Sequence, residues 1–426
     1  QVLSMIRVLR KHSIRSCARH ARAASRCRRN QVRSCAAPAA EETLAASGLE
    51  GSGRREMPEE VVQLFSVLRK ETLTRLQDFS PSQLYGVIWA YSTAGLLDEE
   101  MLGTIEQRLR DVANEMDGQH PTTQPTLPPT EVSPTQPHVL LDLPDVAVLY
   151  KPPHWIVNPP SSVLEQTQQD EAADSDDEGN SKSIPSFVQR VFGPVAPICT
   201  DAAEAYGILH RLDMQTSGPL LLAKTYLGSA ALRAQFSSHK IEKEYVCLAQ
   251  GIVPLERTSI DARIKVSQYR GAPGSGSNPR GLNNVCEVAR DGKPSFTELR
   301  RIALLKDTDG APYSLCVVKL HTGRTHQIRV HMNHIGHGLV TDNKYGLERF
   351  AADQLWCARN FLHTYRLVFN DVHSGEKVET LHPLPEDLRQ ALESLSADGT
   401  SGDAVLPWTQ GQKPLSFADY AQALTS

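Results

Sequence analysis

The stretch GILHRLDMQTSGPLLLAKT, residues 207–225, decides how the chain is read. An apolar approach ends at His210, followed by Arg211, Leu212 and Asp213. Thr216, Ser217 and Gly218 then lead into a second apolar run, Pro219 to Ala223, which predicts a strand. A carboxylate in a loop beside buried strands is poised for chemistry. The ordinary alternative is an Asp that caps its own turn through the backbone.

Further segments lie outward from this one. KIEKEYVCLAQG (240–251) carries Tyr245 into a strand-like run. KLHTGRTHQIRVHMNHIGH (319–337) holds five histidines within 17 residues. His331 and His334 could share a helix face, but the segment has no acid or Cys and no HExxH spacing, so no metal is expected. Arg324 and Arg329 among imidazoles point instead to a site that takes a phosphate or carboxylate. GHGLVTDNKYG (336–346), FLHTYRLVF (361–369) and PLPEDL (383–388) follow.

The strand-like runs are VAVLYKP, GPLLLAKT, KEYVCLAQG, PSFTELRRIALL, SLCVVKLHTG and LHTYRLVF. The helix-like runs are SAALRAQFSSHK, THQIRVHMNHIG and PEDLRQALESL. Their order is not a strict βαβ repetition, which favours an α+β domain with a largely antiparallel sheet. Residues 184–388 hold 24 Lys and Arg against 20 Asp and Glu, a mild basic bias in a chain of net charge −4. That bias permits a nucleic-acid partner.

Taken in order, the HRLDxxTSG block, the Tyr-containing strand, the TGRTHQIRVH block and the GHxxxxDxxYG block closely resemble the RluA-type pseudouridine synthases. The resemblance runs from about Val146 to Leu388. It implies the family's fold, a mixed and mostly antiparallel sheet with flanking helices and an RNA-binding cleft. It implies that Asp213 is catalytic, that Tyr245 lies against the target base, and that Arg329 pairs with the catalytic carboxylate. Arg211 would occupy the gap left by a flipped base, and Leu320 would help line the base pocket. His210, Thr216, Arg324 and His326, also in the matching blocks, are expected on the RNA side. Two departures stand out. Lys151–Pro152–Pro153–His154–Trp155–Ile156–Val157–Asn158 replaces the usual KPxGxxVH block, and Thr341 stands where a Gly is usual.

The reaction so implied moves uracil from an N1 to a C5 attachment on one ribose, with no cofactor and no metal. Breaking C1′–N1 builds positive charge on the sugar. A carboxylate there can stabilise it, add to C1′, or remove a sugar proton. The resemblance favours removal at C2′ through a glycal. Two other readings stay open: a silent RNA binder on the same fold, and a hydrolase that releases free uracil.

The rest of the 426 residues is less telling. No apolar run is long enough for a membrane helix. Eight cysteines without a CxxC pair exclude a disulfide scaffold and a zinc ribbon. Residues 1–45 open with nine Arg, one Lys and no acid before Glu41, a pattern expected of a mitochondrial or plastid transit peptide. A basic RNA-binding arm is the rival reading. The chain begins with Gln, and Met5 is a candidate start. Residues 46–117 are expected to be a small helical segment, with Pro58 and Ser80–Pro81 marking helix starts. Phe79 to Leu109 resembles one unit of the octotricopeptide or FAST-kinase-like repeats of organellar RNA-binding proteins. Residues 118–138, with six prolines, read as a linker. The catalytic domain is expected at 139–390, interrupted at 161–183 by an acidic insertion read as disordered. Residues 391–426 are expected to be a peripheral tail. RNA is the expected partner, and nothing requires more than a monomer.

Overall fold

A computed structural model describes residues 59–119, 133–157, 182–270, 282–397, 401–410 and 413–423. The Arg-rich segment 1–45, most of the linker 118–138 and nearly all of the acidic insertion 161–183 lie outside these residues. The chain divides into two compact units, 1–108 and 109–426.

The first unit is helical, as expected for residues 46–117. Helix α1 (Glu59–Thr74) leads through a 3-10 turn at Leu76–Asp78 to α2 (Pro81–Ala94) and α3 (Glu99–Gln119). Pro81 costs α2 nothing, because its first N–H would lack a helical acceptor anyway. The Ser80 N–H donates instead to Oε1 of Gln83 at 2.8 Å. Gly95, at φ 69°, ends the helix in the left-handed conformation. Leu84, Val87, Ile88 and Tyr91 form its buried stripe. The Tyr91 hydroxyl donates to the Phe65 carbonyl at 2.7 Å, so α1 and α2 are joined by one satisfied polar contact within an apolar seam.

The second unit is α+β. Strands β1 (His138–Asp142), β2 (Val146–Lys151) and β3 (Gly218–Ala223) form an antiparallel three-stranded sheet, and α4 (Ile184–Val191) lies between β2 and β3 in sequence. Helix α5 (Tyr226–Ser237) follows, its first turn capped by the Thr225 hydroxyl, which accepts the Gly228 N–H. Next come β4 (Glu242–Gln250), β5 (Ser259–Asp261), the hairpin β6 (Ile264–Arg270) and β7 (Leu282–Val288), β8 (Phe296–Lys306) and β9 (Pro312–Leu320). The last elements are α6 (Gln327–His334), α7 (Phe350–Asp353), β10 (Leu362–Asn370), β11 (Lys377–Leu381), α8 (Glu386–Glu393), β12 (Ser396–Ala397), α9 (Ser401–Thr409) and α10 (Phe417–Ala423). The large sheet runs β11-β10-β4-β9-β8-β12 with β5 beside β8, and every strand pair in it is antiparallel.

The two sheets pack on each other and are joined by an isolated bridge. Ser217 bridges His363 in parallel, and the Thr364 N–H donates to the Ser217 carbonyl at 2.9 Å. Gly218 makes this approach possible. It sits at φ 133°, and a Cβ there would fall 2.3 Å from the Thr364 carbonyl oxygen. The loop that carries Asp213 therefore runs into the seam between the sheets.

The C-terminal tail is not peripheral. Trp408, Phe417 and Tyr420 belong to the same buried cluster as Val246, Leu315, Val317 and Leu388. The Phe417 N–H donates to the buried Glu244 carboxylate at 2.8 Å, and the Tyr365 hydroxyl donates to the same oxygen at 2.7 Å. Its Gly, Ser and Pro content suggested a surface segment. Three aromatic side chains outweigh that composition by burying their area against the large sheet.

Candidate active site

The loop between Ile208 and Ser217 is fixed by two buried cations. Lys151, the last residue of β2, is fully buried and donates to three carbonyls: Pro152 at 3.1 Å, Met214 at 3.0 Å and Thr216 at 2.6 Å. A buried ammonium is costly unless its donors are satisfied, and here all three are. Arg359 approaches the loop as well. It donates to the Gln215 carbonyl at 2.8 Å and the Ser217 hydroxyl at 3.1 Å, and it pairs with Asp387 at 2.5 Å. Asp387 belongs to the PLPEDL segment, so that run positions the loop. The Ser217 hydroxyl also bonds His363 Nδ1 at 2.9 Å, and the Thr216 N–H donates to the Asp213 carbonyl at 3.0 Å. These contacts fix the backbone around Asp213 and leave its side chain 18% exposed.

Arg329, from α6, binds two carboxylates. Its contact with Asp342 is bidentate, Nε to Oδ2 at 2.7 Å and Nη2 to Oδ1 at 2.8 Å. Its third nitrogen, Nη1, reaches Asp213 Oδ2 at 3.4 Å. Asp342 is buried and also accepts the N–H groups of Lys344 and Tyr345. The Tyr345 ring lies 5.1 Å from the guanidinium carbon. Its hydroxyl accepts the Cys286 N–H at 3.0 Å and bonds His326 Nδ1 at 3.0 Å. Asp342 therefore holds Arg329 in place, and Arg329 presents its remaining edge to Asp213.

The electrostatics follow from this arrangement. Burial pushes the Asp213 carboxyl up, but the positive fields of His326, Arg329 and Arg211 pull it down, leaving it below the ordinary carboxylate value. Asp213 is therefore ionised at neutral pH beside a little-hydrated seam. Tyr245 is buried in β4, opposite Val318 and Thr364. Burial is the main force that raises its phenol, and the negative charge of Asp213 adds to it. Tyr245 thus stays protonated and offers a ring face and a hydroxyl rather than a base.

The structure brings Asp213, Arg329, Tyr245, Arg211 and His326 together. Leu320 ends β9, across from Thr297, and Arg324 stands in the following turn with Nε donating to the Pro294 carbonyl at 3.2 Å. Of the residues expected on the RNA side, Thr216 and His326 are buried and His210 is half-buried. His210 Nε2 accepts the Leu221 N–H at 2.9 Å, which puts its proton on Nδ1. Burial and the Lys243 charge hold its imidazole near 3, so it is neutral packing. Thr216 is buried, with its carbonyl on Lys151. His326 is buried against Tyr345 and acts on Asp213 through its field. The other histidine expectations resolve similarly. His331 bonds the Thr297 hydroxyl and the Ala262 carbonyl, both at 2.9 Å, as a satisfied core histidine.

Asp342, Tyr345, Lys151, Arg359 and Asp387 carry no assignment from the sequence. Asp342 and Tyr345 stand inside the GHGLVTDNKYG block, and Asp387 inside PLPEDL, so the blocks were legible while the pairings within them were not. Thr341 explains the family's usual Gly at that position. Its φ is +54°, a left-handed value, and its hydroxyl donates to the Cys357 carbonyl at 2.8 Å.

Residues 200–334 match the RNA pseudouridylate synthase family. Over this segment the chain is similar to RNA pseudouridine synthases. Among individual relatives, it is 39% identical over 189 residues to an uncharacterized RNA pseudouridine synthase of Chloroflexus aurantiacus, covering 44% of this chain and 53% of that protein. It is 34% identical over 196 residues to ribosomal large subunit pseudouridine synthase D of Neisseria meningitidis, covering 44% of this chain and 48% of that protein. The chain thus matches about half the length of these curated relatives. Among solved structures, human RNA pseudouridylate synthase domain containing 1 aligns with a TM-score of 0.42 at 21% identity, covering 70% of this chain and 98% of that one. The family match begins at residue 200, and the repeat-family resemblance of the helical segment draws no support from it.

Proposed function

We propose that the chain isomerises a uridine in structured RNA, ribosomal, transfer or messenger, to pseudouridine, with Asp213 as the catalytic carboxylate. The observation that carries this reading is Asp213, ionised and partly open, beside Arg329 at 3.4 Å in a loop fixed by Lys151 and Arg359. A target uridine leaves its stack, and Arg211 fills the gap. The C1′–N1 bond breaks as Asp213 compensates the sugar's positive charge, by adding to C1′ or by taking the C2′ proton. The base turns over against Tyr245, and C5 bonds to C1′ as the Asp213–C1′ bond breaks or as Asp213 returns the proton to C2′; the C5 proton leaves to solvent and N1 takes one up. Cofactor chemistry has no part in this sequence of steps.

The experiment is release of tritium from RNA labelled at uridine C5. The wild-type chain is expected to release it, and Asp213→Asn is expected to bind RNA yet release none. Equal release by both would remove Asp213 from its role. Free uracil as product would indicate hydrolysis, and RNA binding without product would indicate a silent binder. The Arg-rich residues 1–45 support delivery to a mitochondrion or plastid. A fluorescent protein carrying those residues should reach one of these organelles, and diffuse fluorescence would contradict this.

A further inference from the structure

Lys243 stands out among the cations near the site. It lies two residues before Tyr245 on β4, so both side chains leave the same face of the strand, about 6.6 Å apart along it. Its ammonium is 5.4 Å from the Phe236 ring centroid at the end of α5. It is also 3.4 Å from where a Cβ on Gly323 would sit, in the TGR turn after β9. Its charge is felt by His210 in the Asp213 loop. Three of the four sequence blocks thus converge on one lysine.

Several other buried or half-buried cations of this unit have carboxylate or carbonyl partners. Lys319 pairs with Glu242, Arg366 with Glu244, Arg359 with Asp387 and Lys151 with carbonyls. Among the described residues, Lys243 donates to no carboxylate and no carbonyl, and its surroundings are positive. Burial lowers the His239 imidazole in the turn after α5, and the fields of Arg324, His321 and Lys243 add to that. Desolvation holds the Lys243 ammonium near 8, with no anion to raise it. A cation kept in such a place costs stability, and an anion supplied from outside would offset that cost.

We infer that Lys243, with Arg324 and His239 around the Gly323 turn, binds a backbone phosphate of the RNA next to the target uridine. This rests on the reading of the site as an RNA pseudouridine synthase and adds a subsite to it. Two residues apart on β4, Lys243 shares a strand face with the Tyr245 ring expected against the base, which places the ammonium beside that base's own position. A small exposed glycine at the turn lets the phosphate approach the ammonium closely.

The test uses the full chain and a fluorescein-labelled oligouridylate, with affinity measured across a salt series. Lys243→Met should weaken binding several-fold and make the slope of log K against log salt shallower by about 0.7, one phosphate contact on a single strand. Lys243→Arg should keep the wild-type slope. Because the ammonium has no carboxylate or carbonyl partner among the described residues, Lys243→Met should melt at or above the wild-type temperature. Lys243→Gln, with its polar end, should show the same loss of slope. An unchanged slope in both neutral variants, or a fall in their melting temperature, would overturn the inference and mark Lys243 as structural. Tritium release by the wild type judges the isomerase reading separately. A wild type that releases none, while Lys243→Met still loses slope, would refute the isomerase and keep the phosphate contact.

Discussion

The Asp213 loop and the C-terminal tail are both pinned by buried charge, and they differ in what the pinning does. Lys151 and Arg359 bind backbone carbonyls and the Ser217 hydroxyl of the loop, which sets where one carboxylate points. Glu244 binds the Phe417 N–H, and the tail then buries Trp408 and Tyr420. Hydrogen-bond geometry demands specific residue types in the first case. Burial of area demands only large apolar side chains in the second. A loop of the first kind is positioned for chemistry, whereas a tail of the second kind contributes stability. Each prediction below can break or sharpen that distinction.

The largest stability effect should fall in the tail. Trp408 is fully buried, and Trp408→Ala should cost about 3–5 kcal/mol in denaturant unfolding. Activity per folded molecule should be retained. A variant that stays fully stable, or that folds but has lost its activity, would erase the contrast between the regions.

Arg359→Met should do the reverse. It frees the Gln215 carbonyl and the Ser217 hydroxyl and lets the loop drift, so kcat should fall by about 10²-fold with KM little changed. Arg359→Lys should recover part of the rate. A pure rise in KM would show that Arg359 serves binding rather than placement.

Acid should expose the buried histidines near the loop before it reaches the tail. Burial lowers His210 to about 3, His382 to about 4, and His363 well below its ordinary value. A depressed folded value means that the unfolded chain takes up protons first as pH falls below about 6.5. The stability these groups contribute is complete above that pH and is lost as pH falls toward the folded values. Between pH 7 and pH 5 each should cost about 1–2 kcal/mol. His382→Gln should flatten the fall in melting temperature over that range, and an unchanged slope would show that His382 does not drive it.

The smallest effect concerns Thr341. A β-branched residue at φ +54° is strained, and its hydroxyl bond to Cys357 offsets part of that strain. Thr341→Gly relieves one and removes the other, so stability should change by less than about 1 kcal/mol. A large loss would show that the hydroxyl, not the backbone, governs this turn.

The same contrast explains what the sequence revealed. The α+β class and the strands at 218–223, 242–250 and 362–370 were legible because each lies in a block with strong local pattern; the blocks also name Asp213, Tyr245 and Arg329, whose roles belong to the proposed function. The bidentate Asp342 contact and the Arg359–Asp387 pair were not, because pairing across 13 and 28 residues leaves no periodic trace. The surroundings of His210 and His326 were hidden for a related reason. A histidine in a motif looks the same in sequence whether it faces RNA or packs as a neutral ring. The tail was misjudged because Trp408, Phe417 and Tyr420 are too sparse to make a pattern, yet each buries a large area.

The most direct test of the central claim compares the wild-type chain with Asp213→Asn on RNA tritiated at uridine C5. The Asn side chain keeps the shape but removes the charge that faces Arg329. The account predicts tritium release by the wild type, a fall on the order of 10^4-fold in the variant, and matched RNA affinity and melting behaviour. Comparable release by both proteins would contradict it.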